Sequence, residues 1–102
     1  MNLVQILLPV YDEHGNRFPQ SMYEKVAREL TDSFGGLTAY VRAPAKGLWA
    51  ERPGETRRDD IVVYEVMVES LDASWWRDYR EALEGRFRQD ERVVRAQAMQ
   101  RL

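Results

Sequence analysis

The sequence predicts an α+β domain with the element order β-α-β-β-α-β, and three observations carry that prediction. Apolar residues alternate with period two over Asn2 to Tyr11 and over Ile61 to Ser70, the spacing of strands with one covered face. Between the strand segments lie two stretches with apolar residues at helical spacing instead, Met22-Val26-Leu30 and Trp76-Tyr79-Leu83-Phe87. The chain has 102 residues, 44% of them apolar and 31% charged. That length and balance suit one domain with one core, and the chain is too apolar for a disordered segment.

Taken in order, the first strand places Val4, Ile6, Leu8 and Val10 on one face and Leu3, Gln5, Leu7 and Pro9 on the other. The polar run Asp12 to Arg17, DEHGNR, ends it in a turn. Phe18 and Pro19 lead into a helix, with Ser21 and Glu24 spaced as a capping box, and Gly35-Gly36 stop it. Tyr23, Ala27 and Phe34 flank the helix stripe. Leu37 to Arg42 alternates again as a second strand. Ala43 to Asp60, with Pro44, Gly47, Pro53 and Gly54, reads as a long hairpin connection whose tip spans Glu51 to Arg58. The third strand, Ile61 to Ser70, sets Val62, Tyr64, Val66 and Val68 against Ile61, Val63, Glu65, Met67 and Glu69. Ser70 or Asp72 caps a second helix running to about Gln89, with Trp75 and Ala82 beside its stripe; its charged residues, Arg77 and Arg80 among them, read as a solvated surface. A last strand covers Arg92 to Gln100, with Val94, Ala96 and Ala98 on one face and Val93, Arg95, Gln97 and Met99 on the other.

Composition narrows the function classes. Lys and Arg number 15 against 17 Asp and Glu, a formal charge of -2, so the footprint for non-specific nucleic-acid binding is missing. Recognition of RNA on the sheet is disfavoured too, because the central strands offer Gln5, Leu7, Glu65 and Met67 where stacking aromatics are needed. No cysteine is present, which removes disulfides, thiolate metal sites and cysteine nucleophiles. The opening apolar run lacks a basic flank and is followed by acids, unlike a secretory signal, and no run is long enough to span a bilayer. A cytoplasmic protein with no membrane association and no cofactor is expected.

The order β-α-β-β-α-β resembles the split βαβ arrangement of the ferredoxin-like fold across the whole chain. That resemblance implies a four-stranded antiparallel sheet, the first and third strands central, both helices on one face, and a long hairpin between the second and third strands. The core then comprises Val4, Ile6, Leu8, Val62, Tyr64, Val66, Val68, Val94 and Ala96 from the sheet, met by Val26, Leu30, Trp76, Leu83 and Phe87. The run Phe34 to Trp49, FGGLTAYVRAPAKGLW, resembles small uncharacterised bacterial proteins of this pattern, and the chain is more distantly similar to dimeric α+β-barrel proteins. The second likeness implies a homodimer, with the open sheet face covered by a partner subunit and the hairpin as an arm.

Candidate functional residues follow from the face that the helices leave open. Arg42, Glu65 and Arg95 put a carboxylate among guanidiniums, which suits either an ion-pair network at an interface or a small anionic ligand. Tyr40 shares that face. Lys46 and Trp49 sit in the hairpin, the first as a rim charge or substrate contact and the second as an interface anchor. AKGL, Ala45 to Leu48, lacks the second glycine and the hydroxyl residue of a phosphate-binding loop. Trp76 belongs to the core stripe, and His14, the one histidine, reads as a solvated turn residue. The expectation is a binding or interaction module that self-associates. The competing expectation is a cofactor-independent dimeric enzyme, monooxygenase- or isomerase-like, with Tyr40 or Glu65 moving a proton and Arg42 or Arg95 holding an anionic substrate. The open-face positions lack the His or Asn on which such enzymes depend.

Overall fold

A computed structural model describes residues 1–42, 61–87 and 93–102, with the backbone alone for 39–42 and 93. The expected α+β class is observed, as two helices packed on an antiparallel sheet. Its body is three strands, β1 (Asn2–Pro9), β3 (Ile61–Val68) and β4 (Val93–Ala98), with β1 in the middle. The register is Gln5 opposite Glu65 on one side and opposite Arg95 on the other. The backbone of β2 (Thr38–Arg42) runs antiparallel along β3, giving the order β2-β3-β1-β4. The hairpin expected over Ala43 to Asp60 lies outside the described residues.

The polar turn after β1 forms for a local reason. Asp12 Oδ1 accepts from the backbone N–H groups of His14 and Asn16 at 2.9 and 2.8 Å, and Gly15 takes a left-handed φ of 78°. Those donors, that of Asn16 first, hold the Asp12 carboxyl below its ordinary range. Phe18 N–H then donates to Val10 O at 3.0 Å, which brings the chain back across the end of β1.

Helix α1 spans Gln20–Phe34. The capping box does not form: Pro19, extended at φ -60° and ψ 144°, is the N-cap residue, and no side chain caps it. The helix begins at once after the proline, so Ser21 falls inside the first turn, two positions past the N-cap and unable to reach back over the free N–H groups. Gly35 closes the helix in a left-handed conformation, φ 77°, with its N–H on Thr31 O at 2.7 Å. Helix α2 spans Ala73–Arg86 and is capped as expected, Asp72 Oδ1 accepting from Trp75 N–H at 3.1 Å. It ends at Arg86 rather than near Gln89, with Phe87 as C-cap. No described helix is long and apolar enough to cross a membrane.

Both helices bury their stripes against one sheet face. Val4, Ile6 and Leu8 meet Val26 and Leu30 of α1 and Trp76, Tyr79 and Leu83 of α2, with Phe87 wedged between Phe18 and Tyr23. Tyr64 OH donates to Tyr23 O at 2.9 Å, and Tyr23 OH donates to Pro9 O, so β3, α1 and β1 are tied by two buried hydroxyls. Burial pushes both phenols up, Tyr23 to about 12. Three members of the expected core depart from it: Val62 and Val94 are only half-buried and Ala96 is exposed. Ala96 lies on β4, an edge strand of the sheet.

Candidate functional site

Strand parity decides which polar groups can meet on the open face. Gln5, Glu65 and Arg95 share one row across three strands, because Gln5 is the register partner of both others. Gln5 Nε2 donates to Glu65 Oε2 at 2.7 Å, and Arg95 Nε donates to Gln5 Oε1 at 2.7 Å. The amide thus uses its donor on the acid and its acceptor on the guanidinium, which fixes its orientation. Glu65 is half-buried and Arg95 exposed.

The candidate residues are therefore brought together in part. Glu65 and Arg95 are joined, through Gln5 rather than directly. Arg42 has its backbone paired with Ile61, four positions along β3 from Glu65, or about 13 Å at roughly 3.3 Å per residue. The residue paired with Glu65 on β2 is Thr38, and Tyr40 is paired with Val63. Lys46 and Trp49 lie outside the described residues.

Apolar groups surround the polar row. Leu3, Leu7 and Ile61 are half-buried, Val63 is 1% exposed and Met67 is 46% exposed. Gln5 was not among the candidates that the sequence suggests. A signal for it existed, a single amide in the apolar run NLVQILLP, but its meaning depends on the register that places it between an acid and a base.

Two other polar groupings are placed by the structure. Glu29 on α1 receives a bidentate guanidinium from Arg86 on α2, with Arg86 Nη2 on Oε2 at 2.7 Å, and Tyr79 OH donates to Oε1 at 3.0 Å. Arg86, then Tyr79, hold the Glu29 carboxyl below its ordinary range, and desolvation followed by that acid raises Tyr79. This grouping joins helix to helix and is a structural clamp. His14 stands exposed in the turn with Nε2 3.3 Å from the exposed Glu13 carboxylate. Among the described residues no three acids or histidines gather as metal ligands.

Compared with models of known families, with curated proteins and with solved structures, the chain matches none. Function therefore has to be argued from this chain's own residues.

Proposed function

We propose that the chain is a ferredoxin-like domain that acts as a binding and interaction module and self-associates as a homodimer through the open sheet face. The order β2-β3-β1-β4 with both helices on one face supports the fold reading. The observation that carries the dimer is the Glu65–Gln5–Arg95 row among apolar neighbours. A polar row already hydrogen-bonded within its own sheet is cheaper to cover, because fewer of its groups are stranded when water leaves. Exposed Met67 and half-buried Leu3 and Leu7 supply apolar area around it.

The charges also suit a two-fold axis. Acid and guanidinium stand at opposite ends of the row, so a copy rotated about an axis along β1 sets Glu65 over Arg95 of the partner subunit. Sedimentation equilibrium at micromolar concentration tests this directly. Wild type is expected at twice the monomer mass and Met67→Glu at the monomer mass, still folded because the side chain is exposed in the single chain. A wild type that sediments as a monomer overturns the proposal.

A further inference from the structure

The opposite side of the sheet carries a second feature, independent of the open face. Between helix α2 and the strands β1 and β4 lies a cleft of about 340 Å³. Its apolar wall is Val4, Trp76, Val94 and Ala96, with Leu71, 44% exposed, at the mouth. Ala73, Trp76, Arg77 and Arg80 line it from α2 at spacings of three, four and seven residues, one continuous stripe of the helix. Arg95 lines it as well, though its Nε donates to Gln5 on the other face.

The electrostatics of this cleft are unbalanced. Arg80 Nε is buried and has no hydrogen-bond partner, the one such side-chain atom among the described residues. The nearest acid, Glu84, has Oε1 3.7 Å from that nitrogen, an ion pair too long for a hydrogen bond. Arg77 is exposed and has no ion pair among the described residues. Two guanidiniums against one carboxylate leave about one positive charge at the rim of an apolar cavity. Nε itself is closed to a ligand, but the Arg80 side chain is 42% exposed, so its terminal Nη groups are the donors that a ligand oxygen can meet.

We propose that this cleft binds a small monocarboxylate with an apolar body, the carboxylate on Arg80 and Arg77 and the body against Trp76, Val94 and Ala96. One negative charge fits the rim better than two, because Glu84 already answers one arginine. The volume lies at the lower end of small-molecule sites.

The test is an NMR titration of the full chain with 4-phenylbutyrate, with the neutral 4-phenylbutanamide as matched control. Saturable shifts of the Trp76 indole N–H and of the Val94 and Ala96 methyls are expected, with the amide at least about tenfold weaker. Arg80→Gln removes the head-group contact and should raise Kd about tenfold. Ala96→Leu fills the wall from an exposed position that tolerates it, and should raise Kd about tenfold with Tm almost unmoved. The proposal fails if no saturable shift occurs up to about 10 mM, a Kd weaker than millimolar. It fails equally if acid and amide bind alike, if the shifts map elsewhere, or if both variants bind as wild type does.

Discussion

Along β1, Val4, Ile6 and Leu8 are at most 1% exposed, while Leu3, Gln5 and Leu7, each one residue away, are half-covered. The first set is closed by two helices of this chain. The second carries a hydrogen-bonded polar row that no described helix covers. The two faces differ less in apolar content than in how polar groups are handled. On the helix side, side-chain polar groups sit at the margins, as in the Glu29–Arg86–Tyr79 clamp, or reach backbone carbonyls, as Tyr64 and Tyr23 do. On the open side an amide, an acid and a base run through the middle of the sheet. Among the described residues, the fully buried side chains are thus concentrated on the helix-covered face, with Val63 the exception on the other.

Substitutions on the two faces should separate accordingly. Leu83→Ala, in a fully buried position, should cost about 2–4 kcal/mol in urea unfolding, whereas Met67→Ala should stay within about 0.5 kcal/mol. An equal loss at both positions breaks the contrast. Tyr64→Phe deletes the donor to Tyr23 O at a buried site and should cost about 1–2 kcal/mol. Glu29→Gln should cost about 1 kcal/mol at neutral pH by weakening the clamp.

The pH dependence of that clamp has a definite sign. Because the folded Glu29 pKa is lowered, its contribution is complete above the unfolded value, about 4.3, and is lost as pH falls through the folded value. The gap between wild type and Glu29→Gln in urea melts should therefore narrow on going from pH 7 to about pH 3. A smaller effect than that of Glu29→Gln is expected for Gln5→Ala. Its two hydrogen bonds lie at a half-buried to exposed site, so monomer stability should change by about 0.5–1 kcal/mol while self-association weakens more.

Much of the fold was legible in the residues. The parity of β1 and β3 named the covered face, and the stripe Trp76-Tyr79-Leu83-Phe87 is buried throughout. Gly35 and Asp72 ended and began helices where local chemistry requires it. Lateral reach was not legible. Periodicity says which face Ala96 is on, but not that it stays exposed there, and so the cleft beside Arg80 was hidden behind an ordinary charged helix surface. The Ser21–Glu24 spacing misled because the capping box depends on where the helix begins, and Pro19 set that point. At the candidate site, the residue types were visible but the rows were not. A row needs the register across three strands, which placed Gln5, not Arg42, beside Glu65.

The pairing of Gln5 with Arg95 spans 90 residues of chain, and it sets an order of events during synthesis. At about 5–20 residues per second, β1 leaves the ribosome some 5–20 s before β4 follows. Until β3 follows, 60 residues later, both edges of the central strand lack a native neighbour, and the edge that β4 will take stays open longest, with the run LVQILL unpaired along it. Loop closure over such a span is slow, so the last strand to be made decides when the sheet becomes a sheet. Nascent chains arrested before Val93 should accordingly be held by chaperones or aggregate, and full-length chains released from the ribosome should not.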